Sequence, residues 1–379
     1  MNRVHLSAPD ISTADRSAVA RAMASPWVAP VGPELNAFES EMASRIGVRH
    51  AVAVASGTAA LHLGLIAAGV HAGTVVVTST FTFAATANAI TYTGARPVFV
   101  DVDPRTGNID PVLLDQALSE LRADGVVVSA VMPVDIYGKS VDYAAVLAVA
   151  DRHGVPVVAD SAEAAGSSYR GRAVGSFGFA AAFSFNGNKI MTTSGGGMVL
   201  TNDAAAASKI RQLATQARLP VLHYEHAEIG YNYRLSNVLA ALGRSQLARL
   251  DGMIAHRRRT RDRYRKLISS FPGVEILGGV DDFDDNCWLT SIVVDPGAGH
   301  NVRHILADLN ADGIEARLLW NPMHRQPVFA DDRAFVSGSA DSLFAGGLSL
   351  PSGSGMTSDQ LDHVCASLST SLRSPRVDA

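Results

Sequence analysis

TVVVTSTFTFAATANAITYTGARPVFVDVD, residues 74–103, reads as a β-branched run, a helical stretch and a second β-branched run. The same alternation extends outward on both sides. AVAVA (51–55) and the helical AALHLGLIAAG (59–69) precede it, and GVVVSAVMP (125–133), YAAVLAVADRHG (143–154) and VPVVAD (155–160) follow. Strand and helix repeated this often imply an α/β fold, with a mostly parallel sheet between helices. Ligands of such sheets bind at the carboxyl ends of the strands, so the residues just after each run are the candidate site. Farther on, AAFSF (181–185) and MVLTN (198–202) read as a strand pair across a Gly-rich turn, and a helical stretch covers 235–250. From about 274 the pattern is that of a smaller α+β unit. The expected division is a large domain over 1–250, including the N-terminal segment, and a small C-terminal domain over 251–379, with the boundary near Asp251. SPRVDA (374–379) reads as a frayed tail.

Composition narrows the function classes. With 379 residues, 47% apolar and 18% charged, the chain has ample material for a buried core and is not disordered. A net charge of −4 supplies no general field for nucleic acid or an anionic membrane, so any phosphate must be bound locally. Cys287 and Cys365 form no C-x-x-C pair, which argues against thiolate metal sites and fits a reducing compartment. No apolar run reaches the roughly 20 residues that cross a bilayer, and the expected location is the cytoplasm. The basic run Arg257, Arg258, Arg259, Arg261, Arg263, Arg265 and Lys266 reads as a solvated helix near the domain junction.

Three motifs follow predicted strands. In SGTAALHLGL (56–65) a turn opens a helix whose first amides lack partners within the helix, which suits a phosphate or an ordinary N-cap. Asp160 ends VPVVAD and Glu163 lies three residues on, either as acids at a strand mouth or as a helix-capping pair. Lys189 sits in the Gly-rich stretch FSFNGNKIMTTSGGGM as a candidate Schiff-base amine or as a surface lysine at a strand end. Together they describe one ligand with a phosphate, a basic ring nitrogen and an aldehyde, which is the chemistry of pyridoxal phosphate.

Longer stretches carry a family resemblance. WVAPVGPELNAFE (27–39), ASGTAALHLGL (55–65), TFTFAATANAI (80–90), VVADSAEAAGS (157–167), FSFNGNKI (183–190), HYEHAEIGYNYRLSNVLAALG (223–243), LWNPMHRQPVF (319–329) and SLPSGSGMT (349–357) resemble the DegT-type sugar-nucleotide aminotransferases. These belong to the fold-type I pyridoxal-phosphate enzymes. The resemblance implies an aspartate-aminotransferase-like fold and a homodimer with shared active sites. Lys189 would form the Schiff base with the cofactor and shuttle the proton. Asp160 would hold the pyridinium proton, Glu163 would contact the ring hydroxyl and Phe83 would stack on the ring. Gly57, Thr58 and Ser184 would hold the phosphate, with Asn232 reaching in from a second subunit.

The form DSAEAAG with SFNGNKI is closest to enzymes that aminate the 4-keto carbon of nucleotide-linked 4-keto-6-deoxy sugars, with L-glutamate as the expected donor. His223, Tyr224, Trp320 and His324 are the substrate candidates. Arg234 reads either as a clamp for the donor carboxylate or as a structural ion pair. The alternatives are a C3-directed aminotransferase and a non-catalytic sensor built on the same fold. The chain departs from the resemblance at Asn321, where many relatives have Lys, and at Ser161, where Ala is usual.

Overall fold

The computed structural model describes residues 3–373, so the tail expected at 374–379 lies outside it. Two four-stranded sheets form the large unit. The first has the order His50–Val54, Gly197–Thr201, Ala180–Ser184, Val158–Asp160, and the second Ala334–Phe335, Arg96–Val100, Val75–Ser79, Val128–Met132. They meet edge to edge: the Val131 N–H donates to the Pro156 carbonyl at 2.9 Å, and the Asp160 N–H donates to that of Pro133 at 2.8 Å. Among the described strands of this large array, Gly197–Thr201 runs in the direction opposite to the rest.

Both faces of the array are covered, and the side chains show why its strands read as unbroken apolar runs. Val52, Val54 and Val76 join one core cluster, whereas Ala51, Ala53 and Val77, pointing the other way, join another. Gly57–Ala67, Ala84–Tyr92, Pro111–Ala123 and Tyr143–His153 supply covering helices. The strand pair read at 181–185 and 198–202 is present, with Phe183 opposite Met198.

The smaller unit is an antiparallel sheet in the order Val274–Ile276, Thr290–Val294, Gly347–Leu350, Arg317–Leu318. It is packed on Val302–Ala311 and Ser358–Arg373 around Ile292, Leu309, Leu348 and Val364. The two units are stitched together in three ways. The helix Asn237–Ile268 runs 32 residues through Asp251 without a break, placing Ala240 and Leu250 in the large core and Tyr264 and Ile268 in the small one. Ala334–Phe335 adds a strand to the large array, and Val4 pairs with Ile314.

The basic run on that helix is not solvated throughout. Arg257 and Arg261, one turn apart, are buried, and they donate to the carbonyls of Trp288 and Leu289 respectively. Arg259, Arg263 and Lys266 are exposed as expected. A guanidinium presents five N–H donors in a fork, so backbone oxygens can satisfy part of it inside the protein.

Candidate active site

Strand ends deliver the site. A cavity of about 250 Å³ is lined by Gly57, Thr58, Phe83, Asp160, Glu163, Ser184, Lys189 and Trp320, all singled out in the sequence. The helix Gly57–Ala67 begins directly after the strand His50–Val54. The Ser56 hydroxyl caps it by accepting from the Ala59 N–H at 3.0 Å, and Gly57 and Thr58 border the cavity. Glycine is required here, because a Cβ on Gly57 would lie 2.7 Å from Cβ of Ser184, and one on Gly197 would lie 2.4 Å from the Ser56 carbonyl. The helix start is thereby pressed against the end of Ala180–Ser184.

Asp160 caps no helix; the residues after it form turns. Its Oδ2 accepts from the Thr86 hydroxyl at 2.6 Å, and its Oδ1 from the Ala162 N–H at 3.1 Å. Burial pushes its carboxyl up, against those donors and the Lys189 charge. Glu163 accepts from the Tyr137 N–H at 2.7 Å and from the Lys189 ammonium at 3.3 Å. Burial pushes Glu163 up as well, opposed first by Lys189 and reinforced by Asp160.

Lys189 lies in a loop between two strands, its Nζ 4.1 Å from the centre of the Trp288 ring. The carbonyl of Asn188 accepts from the Ser7 hydroxyl at 2.7 Å and from Nε1 of Trp288 at 2.8 Å, which fixes the backbone carrying the lysine. Phe83 is 52% exposed, its ring 5.2 Å from that of Trp320, and it forms an open wall.

Other candidates stand apart from this cavity. Asn232 is exposed and bridges Thr215. His223 and Tyr224 lie on the exposed segment 220–229, His223 paired with Glu225 at 2.7 Å and Tyr224 under the Arg218 guanidinium at 4.2 Å. His324 is turned to Thr80, at 2.7 Å, and to Asp341, at 3.3 Å. Arg234 forms an ion pair with Glu39 at 2.7 Å and donates to the Ala53 carbonyl at 3.0 Å.

Sequence reasoning missed Trp288 and the N-terminal segment. Both line a second cavity of about 740 Å³, which shares Asn188, Trp288 and Trp320 with the first. Trp288 sits just before the strand Thr290–Val294, where an aromatic reads as core. Trp288 lies at the amino end of its strand, not at the carboxyl end that marked Asp160, so no such signal pointed to it.

An amine, two buried acids and a helix start pressed close by glycine fit pyridoxal phosphate. Lys189 could meet its aldehyde, Asp160 its ring nitrogen, and the amides at Gly57 and Thr58 its phosphate. A model of the DegT/DnrJ/EryC1/StrS aminotransferase family matches residues 9–369. The chain belongs to that family. EpsN of Bacillus subtilis is 44% identical over 96% of this chain and 94% of its own. A GDP-perosamine synthase of Caulobacter vibrioides is 37% identical over 97% of each chain. Among solved structures, Helicobacter pylori PseC, an aminotransferase involved in the biosynthesis of pseudoaminic acid, superposes with a TM-score of 0.90. It is 27% identical, and the match covers 98% of this chain and 100% of that one. The chain is a sugar aminotransferase of fold type I that uses pyridoxal phosphate.

Proposed function

We propose that this aminotransferase moves an amino group from L-glutamate to the 4-keto carbon of a nucleotide-linked 4-keto-6-deoxy sugar. The observation that carries the reading is the convergence of Lys189, Asp160, Glu163 and the Gly57 helix start on one cavity. The cofactor, when bound, acts as an electron sink for the carbon that exchanges its amino group. Lys189 would take the proton from the donor's α-carbon in the first half-reaction and deliver one to the sugar carbon in the second, passing it to and from the cofactor in between. Glu163 and the Trp288 ring hold the lysine ammonium while it is free. Asp160, kept in place by Thr86 and Ala162, would hold the ring-nitrogen proton, and Glu163 would meet the ring hydroxyl. Phe83 stacks on the ring. Ser184 joins Gly57 and Thr58 at the phosphate.

Substitution at C4 is supported by the likeness to a GDP-perosamine synthase, since perosamine is a 4-amino-4,6-dideoxy sugar. The cavity beside Trp320 gives the sugar room to approach Lys189. A second copy of the chain would bring Asn232 to the phosphate, and His223 and Tyr224 with it to the substrate. The workplace is the cytoplasm, where nucleotide sugars are made; among the described residues no helix is long and apolar enough to cross a membrane. The test is incubation with L-glutamate and nucleotide-linked 4-keto- or 3-keto-6-deoxy sugars, with the aminated carbon located by NMR. Amination at C4 is expected; amination confined to C3 would contradict the reading.

A further inference from the structure

A further buried acid, beyond Asp160 and Glu163, stands behind Asp160. Asp135 is fully enclosed and forms no part of the cavity wall. Its N–H donates to the Asp160 carbonyl at 3.0 Å, in register with the Asp160–Pro133 bond that joins the two sheets. Three donors point at its carboxylate. Oδ1 accepts from the Val141 N–H at 2.9 Å, and Oδ2 accepts from the hydroxyls of Ser161, at 2.6 Å, and Tyr143, at 2.7 Å. Ser161 directly follows Asp160, and its own N–H is fixed to the Ala182 carbonyl at 3.0 Å. The Tyr143 ring is stacked on Phe177 at 4.2 Å, which holds its hydroxyl in place. A carboxylate surrounded only by donors is built to be an anion.

Burial nevertheless pushes the Asp135 carboxyl up to about 7, with Asp160 adding to the rise. Its charge therefore changes near neutral pH. The charged or titratable groups facing it are Asp160 from the adjoining strand and Tyr143 from the helix Tyr143–His153. Tyr143 stays neutral because burial, followed by the Asp135 charge, raises it well above its ordinary range. Beyond Asp160 lie Lys189 and Glu163.

We propose that Asp135 is a positioning residue for the cofactor: held by Ser161 and Tyr143, it sets a second negative charge behind Asp160 and so strengthens the grip of Asp160 on a protonated ring nitrogen. This rests on Asp160 meeting the ring nitrogen. Each unit by which the ring nitrogen's proton affinity rises is a tenfold gain in holding the protonated form. Ser161, one of the two residues at which the chain departs from the resemblance, supplies one of the donors that favour the ionised Asp135.

The probe is 4′-deoxypyridoxine 5′-phosphate, which keeps the ring nitrogen and phosphate but has no aldehyde for Lys189. Its dissociation constant is read from tryptophan fluorescence of the full-length protein at about pH 5.5 and about pH 8.5. Asp135→Asn is expected to bind it like the wild type at the lower pH, where the side chain at position 135 is uncharged in both proteins, and about tenfold more weakly at the higher. Ser161→Ala, which keeps the acid, should show a smaller loss confined to the higher pH, and it carries the test if the Asn variant does not fold. Equal losses at both pH values would mark a merely structural role and overturn the proposal, as would no loss in either variant. Asp160→Asn separates the two claims. If it also leaves binding unchanged, the assignment of Asp160 fails with the proposal; if it weakens binding while the other two do not, the proposal fails alone.

Discussion

Lys189 has two neighbours that speak to its chemistry, the Glu163 carboxylate at 3.3 Å and the Trp288 face at 4.1 Å. Replacing it with Ala is expected to reduce turnover by at least about 10²- to 10⁴-fold, the usual worth of one positioned proton carrier, while circular dichroism shows the fold kept. Turnover near wild type would contradict its role. Gly57→Ala should act differently. The new Cβ would meet Ser184 at 2.7 Å and push the helix start away, so cofactor affinity should fall while stability drops by about 1–3 kcal/mol. Affinity is checked by equilibrium dialysis and stability by urea melts; unchanged affinity would contradict the phosphate assignment. These residues were legible in the sequence because each follows a strand, where a parallel sheet places its ligands. Trp288 was not, because an aromatic just before a strand has the same appearance whether it packs or recognises. His324 drew attention through its motif, yet it is turned toward Thr80 and Asp341, a direction set by tertiary packing.

Elements are legible where their period is strong, and their partners are not. The apolar runs from 51 to 160 emerge as strands close to where they were read, because burial on both faces leaves few polar interruptions. The boundary expected near Asp251 coincides with no break in the backbone, since one continuous helix serves two cores and its apolar face simply changes partner. The two-residue strand Ala334–Phe335 is too short to leave a pattern. Its return to the large sheet depends on Asp101, whose carboxylate accepts from the N–H groups of Ser337, Gly338, Ser339 and Ala340, at 2.7–3.1 Å, and from Val102. Burial pushes Asp101 up, but these donors outweigh it and leave the carboxyl below its ordinary value. A lowered folded pKa means stability that is present above the unfolded value of 3.8 and is lost as pH falls through the folded one. Asp101→Asn is therefore expected to lower stability by about 2–4 kcal/mol at neutral pH and to shrink that gap in acid, as followed by chemical denaturation at several pH values. A gap that stays constant with pH would contradict the ionised cap.

The single chain leaves apolar side chains in solvent around the segment that carries Asn232. Leu222 is wholly exposed, and Ile229, Tyr224, Trp27, Val28 and Val31 are exposed too. So much open apolar surface is expected to be covered by a second copy. Sedimentation should show a dimer. If Asn232 acts across it, mixing inactive Lys189→Ala and Asn232→Ala subunits in equal amounts should restore roughly a quarter of wild-type activity, since half of the dimers would carry one intact site. No recovery would place Asn232 outside the partner's site. The central claim, that Lys189 and the acids around it run amino transfer on pyridoxal phosphate, is tested most directly by the visible absorbance of the cofactor-loaded protein before and after excess L-glutamate. The expected result is a yellow band that bleaches as 2-oxoglutarate is released. A protein that stays colourless after incubation with pyridoxal phosphate would contradict the account at its root.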